Sequence, residues 1–152
     1  MPIIAAPQAD RLRTYFEEQA RDPVTILLFI HPAQAGENDD ELALASQDAQ
    51  ELLEEVVALA PAYLILEMRD PIRDAAEAQA LGIERTPAIV LRGKAAGQVR
   101  TFGVPLHYEF TTLIEDLRAL LAGGQTTLDD STREALVSLR RPAHLQVFVA
   151  PT

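Results

Sequence analysis

Residues 24–30 read VTILLFI, an apolar run with a single threonine as its polar member. A strand with one wet face alternates polar and apolar side chains, so a run without alternation has to be covered on both faces. These residues therefore predict a strand in the middle of an α/β sheet, with helices packed on either side of it. The run is far too short to span a bilayer.

The flanking segments fit that expectation. Residues 10–20 read as a helix with Leu12, Tyr15, Phe16 and Gln19 near one face, ended by Asp22-Pro23. After the strand, 31–36 reads as a loop. Asn38 then has the position of a helix N-cap, with Glu41 as its capping-box partner. Leu42, Ala45, Ala49, Leu52, Leu53, Val56 and Val57 recur at helical spacing, and Pro61 bounds the segment. A second strand is predicted over 62–66. Asp70 then caps a third helix with Pro71 at its first position, and Gly82 ends it. Residues 87–91 and 98–102 form a predicted antiparallel hairpin whose turn contains Gly93 and Gly97. Phe110, Leu113, Ile114, Leu117, Leu120 and Leu121 stripe a last helix, closed by Gly123-Gly124. The order α-β-α-β-α-β-β-α implies a mixed sheet in one unit spanning about 8–124.

The tail, 125–152, continues the pattern. Ser131 and Glu134 suggest a capping box for a further helix, and 145–149 (LQVFV) has the composition of a strand. Set RDPVTILLFIHP (21–32) beside RRPAHLQVFVAP (140–151): arginine, two prolines and phenylalanine coincide, and each segment follows a helix. This modest internal repeat suggests that a second unit begins here. A strand so apolar is expected to pair, either with an edge of the first unit's sheet or with a neighbouring molecule in a dimer.

Charge and composition exclude several functions. With 23 acidic residues against 13 lysines and arginines, the net charge is −10, which repels a nucleic-acid backbone. The first residues lack the basic segment and apolar run of a signal peptide, so a cytoplasmic location is the default expectation. The chain has no cysteine, which removes disulfides, thiolate metal sites and a cysteine nucleophile. His31 with Glu37, Asp39 and Asp40 has no regular metal-ligand spacing and reads as a solvated loop before an acidic helix start. His107 and Tyr108 read as helix capping and packing. No motif for a cofactor, a phosphate loop or a serine nucleophile is present, and no cofactor is expected.

Three segments carry a family resemblance. GVPLHYEFTTL (103–113) resembles the Gly-Ile/Leu-Pro-x-Gly-His-Glu-Phe segment of the two-unit glutaredoxin-like protein disulfide oxidoreductases, with Gly103, Pro105, Glu109 and Phe110 matching. His107 and Tyr108 replace the usual Gly-His pair. GIERTPAIVL (82–91) resembles the helix end, Thr-Pro turn and strand of thioredoxin-fold units. FVAPT (148–152) resembles the run that precedes the Cys-x-x-Cys of a second unit. The same segments are similar to the N-terminal region of the flavoprotein subunit of alkyl hydroperoxide reductase. The resemblance implies a thioredoxin-like fold. It also implies a cis bond at Thr86-Pro87, facing the loop after the first strand, where an extended peptide can pair with the backbone before the proline.

The family's chemistry is where this chain departs. In a redox-active unit the first strand leads into Cys-x-x-Cys at a helix N-terminus, which favours the thiolate. Here the loop reads HPAQAGEN, and Ala35 and Asn38 fall at the two cysteine positions. Neither can form a disulfide, and Asp39 and Asp40 would raise the pKa of any thiol nearby. Two functions follow. The chain is a non-catalytic docking or scaffold unit in a redox system, with a protein or peptide partner near Thr86-Pro87. Alternatively, it is the front part of a disulfide reductase whose Cys-x-x-Cys lies beyond residue 152.

Overall fold

A computed structural model describes residues 2–31 and 40–148. The apolar run forms β1 (Val24–Phe29), and it is the most buried strand of the sheet together with β3 (Ala88–Arg92). The remaining strands are β2 (Leu64–Arg69) and β4 (Val99–Phe102), in the order β2-β1-β3-β4. β2 runs parallel to β1, while β3 is antiparallel to both β1 and β4. The central place of β1, the β3–β4 hairpin and the edge position of β4 agree with the sequence.

Alternation along β1 divides the core. Val24, Ile26 and Leu28 face one side with Ile89 and Leu91 of β3. This side is covered by α1 (Ala6–Gln19), α2 (Asp40–Leu59) and α4 (Tyr108–Leu121) through Phe16, Leu52, Leu53, Val56, Leu113 and Leu117. Leu27 and Phe29 face the other side with Ala88 and Val90, where α3 (Ala75–Ala80) supplies Ala78, followed by Leu81. Both faces are covered, but unequally. Across α1 and α4, the Arg118 guanidinium lies 4.0 Å from the Tyr15 ring centre, a cation–π contact that joins the two helices. Among the described residues, no helix is long and apolar enough to cross a membrane.

Several boundaries differ from expectation. The second strand starts later and runs further than 62–66. Tyr63 and Leu64 both donate their N–H to the Ala60 carbonyl, so 61–63 belong to the exit turn of α2. From Leu64 onward each residue has a β1 partner, up to Phe29↔Arg69. Glu67 and Arg69 look like the end of a strand in sequence, yet they are an ion pair on its surface.

The third helix starts late as well. Asp70 Oδ1 accepts from the N–H groups of Ile72 (2.8 Å) and Arg73 (3.3 Å), while Asp74 Oδ2 accepts from the Asp70 N–H (2.9 Å). The two carboxylates tie a turn over 70–74, and the regular helix follows it.

In the tail, α5 (Asp130–Val137) is capped by Asp129 instead of Ser131. The Asp129 carboxylate accepts from the Thr132 N–H at 2.8 Å, and Ser131 Oγ donates to the same carboxylate. No residue of α5 is buried. The predicted strand at 145–149 is not formed over its described part. Leu145, Val147 and Phe148 are 89%, 83% and 90% exposed, which overturns pairing with an edge of this sheet. A strand needs a partner edge, and within the described chain β2 pairs only with β1, and β4 only with β3.

One core-facing helix carries a poorly solvated charge. Asp116 lies on α4 between buried Leu113 and Leu117, and burial pushes its carboxyl above the ordinary carboxylate range, with the Glu115 charge adding to the shift. A raised folded-state pKa means that the folded state binds more protons than the unfolded one in this window. The stabilisation is therefore complete below the unfolded value of 3.8 and is lost as pH rises through the folded one. Asp116→Asn is expected to melt higher than wild type at neutral pH. The gap should close in acid, where both side chains are neutral. Thermal melts across pH read this directly, and a gap that widens in acid contradicts it.

Candidate functional site

The C-terminal end of β1 and the N-terminal end of β3 lie side by side because the two strands are antiparallel, with Phe29 opposite Ala88. This register brings His31, just past β1, next to the turn before β3. Proline has no N–H to give a ladder, so β3 begins immediately after Pro87. The Thr86–Pro87 peptide is cis, as the family resemblance implies. Pro87 is buried, and its carbonyl accepts the Gly103 N–H at 2.8 Å, which ties the turn to the end of β4.

The approach to this turn is also held. Gly82 leaves α3 with φ +63°, a conformation that favours glycine. A Cβ there would sit 2.6 Å from Arg100 Nη1, which donates to the Leu81 carbonyl. Arg85 then lies 5.1 Å and Arg100 5.6 Å from the centre of the Phe102 ring. Two guanidinium groups on one aromatic ring fix the segment 82–86 against β4.

In front of Thr86 is an open groove of about 340 Å³, lined by His31, Leu42, Pro71, Ile83, Glu84, Arg85 and Thr86. Four stretches of chain meet there: the end of β1, the first turn of α2, the turn before α3, and the run into the Thr-Pro turn. The Asp70 carboxylate behind Pro71 is held below the ordinary range, chiefly by the Ile72 N–H, with Arg73 and His31 contributing. Ile72, next in the chain to Pro71, is 63% exposed. Among the described residues, neither the N–H nor the carbonyl of Thr86 has a hydrogen-bond partner.

Of the residues singled out in the sequence, the structure puts His31 and Thr86 at this groove, with buried Pro87 directly behind Thr86 in the chain. Ala35 and Asn38 lie outside the described residues, as does the N-cap assigned to Asn38. His107 stands at the N-cap of α4 with φ 55° and makes no side-chain cap, so the capping expected of it is not made. Tyr108 is exposed instead of packed. The groove's other walls were not legible as a site. Leu42 reads as part of the core stripe of α2, and Pro71 as a helix start. Ile83-Glu84-Arg85 was visible only as part of the GIERTP motif.

Chemically, the described residues of the groove offer apolar walls, a histidine, Glu84 and Arg85, and a Thr86 backbone that none of the described residues pairs. No thiol is available anywhere in the chain. Sheet order, cis turn and helix placement define a thioredoxin-like unit, here one without a dithiol. Solved structures agree on the fold. The chain is similar to the alkylhydroperoxide reductase protein AhpF of Enterococcus faecalis, with TM-score 0.71 and 23% identity over 89% of this chain. It is similar to the NTD_N/C domain of the same protein, with TM-score 0.70 and 24% identity over 90%. A protein disulfide oxidoreductase from Aeropyrum pernix gives TM-score 0.61 and 22% identity over 90%. The chain spans 60%, 61% and 55% of those three chains, respectively. No family model matches it, and no curated protein does.

Proposed function

We propose that this chain is a non-catalytic thioredoxin-fold unit that docks an extended segment of a partner protein in a thiol–disulfide system. The observation that carries the proposal is the Thr86 backbone at the rim of the groove, which has no hydrogen-bond partner among the described residues. An extended peptide laid along it gains a strand-like pair of hydrogen bonds, while Leu42, Pro71 and Ile83 receive its side chains. Catalysis is left to a partner because the chain has no sulfur nucleophile to give. A reducing compartment such as the cytoplasm suits this role.

Titration with the reduced, carboxymethylated insulin B chain, followed by amide NMR, tests the docking. Shifts should concentrate at His31, Arg85, Thr86 and Ala88, and Leu42→Asp should abolish them. Shifts scattered over other surfaces, or none at millimolar peptide, overturn it.

A second reading has its own support. The three solved chains are longer than this one, and the repeat RRPAHLQVFVAP stands where a second unit would start. On that reading the chain is the front of a disulfide reductase, and its groove presents substrate to a dithiol further along. Sequencing the reading frame past Thr152 separates the two, since a Cys-x-x-Cys directly downstream selects the second.

A further inference from the structure

The ring of Phe102 carries two arginines that come to it from different parts of the chain. Phe102 pairs with Ala88 and Arg100 with Val90, so both side chains stand on the face that Ala88 and Val90 share with Phe29. Arg85 reaches the same ring from the segment before the cis turn, its guanidinium 5.1 Å from the ring centre against 5.6 Å for Arg100. Arg85 also lines the groove in front of Thr86. The cationic patch is therefore continuous with the groove.

Two like charges on one ring repel each other, and an anion between them removes that cost. A guanidinium packed over an aromatic ring is held in place by the contact and keeps N–H donors at its edge. Arg100 gives one of its donors to the Leu81 carbonyl. Both arginines are exposed, and among the described residues neither joins an ion pair. The opposing charges at the groove are weaker. Glu84 is a single exposed carboxylate, and Asp70 already accepts from the Ile72 and Arg73 N–H groups. The net charge of −10 on the whole chain repels an acidic partner at a distance. Salt screens that repulsion beyond about 10 Å at 0.1 M, so the nearest charges decide the contact.

We infer that the segment docked at Thr86 is acidic: an aspartate or glutamate within about two residues of the backbone pair is held by Arg85 and Arg100. The inference rests on the docking reading above and adds the class of partner to it. Arg85 and Arg100 determine specificity, and Phe102 is the positioning residue that sets both guanidinium groups.

A short capped peptide, Ser-Val-Thr-Xaa-Val-Thr-Ser with aspartate, alanine or lysine at Xaa, tests this by calorimetry and by NMR of the arginine Nε–H groups. The aspartate peptide should bind about fivefold tighter than the alanine peptide, the order expected from two exposed charge-assisted pairs, and the lysine peptide more weakly than either. The Nε–H signals of Arg85 and Arg100 should move with the aspartate peptide only. The aspartate-to-alanine affinity ratio should shrink in Arg100→Gln, vanish in the double variant Arg85→Gln/Arg100→Gln, and fall at high salt. The ratio is taken within each protein, so a variant that weakens both peptides alike does not mimic the effect. Equal binding of the aspartate and alanine peptides to the wild-type groove overturns the inference and leaves the docking reading standing. Tighter binding of the lysine peptide overturns it in favour of Glu84, and a preference for aspartate that survives in the double variant overturns it as well. If none of the three peptides binds at millimolar concentration, the docking reading falls and this inference falls with it.

Discussion

Leu28→Ala is expected to destabilise the fold by about 2–5 kcal/mol, a large share of the roughly 5–15 kcal/mol that holds a domain of this size together. Leu28 has no solvent exposure and sits on β1, one of the two inner strands, between Met68 of β2 and Ile89 of β3. Its side chain belongs to the cluster built by α1, α2 and α4 on the fully covered face. Truncation loses the transfer free energy of the side chain and leaves a cavity that three helices and a sheet cannot close without moving. Urea unfolding followed by circular dichroism should show a lower midpoint at an unchanged slope. The exposed Val137→Ala on α5 provides the contrast and should change stability by no more than about 0.5 kcal/mol. Similar losses for the two variants would mean that the core does not lie where the strands put it.

The second large effect is an absence of rate. Insulin reduction by dithiothreitol should proceed no faster with this chain than without it, because thiol–disulfide exchange needs a thiolate to attack and the chain has no sulfur nucleophile. The methionines carry thioethers, which cannot form a mixed disulfide. Turbidity of the precipitating B chain measures this directly. Clear acceleration over the blank by purified protein would refute the non-catalytic reading and point to chemistry outside the thiol mechanism.

The cis Thr-Pro turn and the missing cysteines bear on function in different ways. The turn is tied by Gly103 and by the two arginines on Phe102, so its shape is built into the fold. Its persistence alone would be explained by packing. The docking proposal draws its support from the groove in front of it, together with a backbone unit of Thr86 that the described chain leaves unpaired. Fold similarity to redox proteins under 25% identity supplies the architecture, and the docking proposal stands on this chain's own residues.

Local chemistry was enough to order the elements. The VTILLFI run, with no polar alternation, could only be a covered strand. The apolar stripes of α2 and α4 repeat at helical spacing, and Gly82 and Gly123-Gly124 stop two helices at positive φ. The absence of sulfur chemistry was likewise complete in the sequence. Other features depended on partners distant in the chain. β2 runs to Arg69 because β1 offers it six consecutive partners, whatever the charge of Glu67 and Arg69. The groove joins Leu42, Pro71 and Ile83, which the sequence scatters far apart and which pattern alone assigns to core or turn. The tail shows the same dependence in reverse. The composition of 145–149 encodes a willingness to pair, but a strand is stabilised only by hydrogen bonds to an edge, and in the described chain no edge takes it.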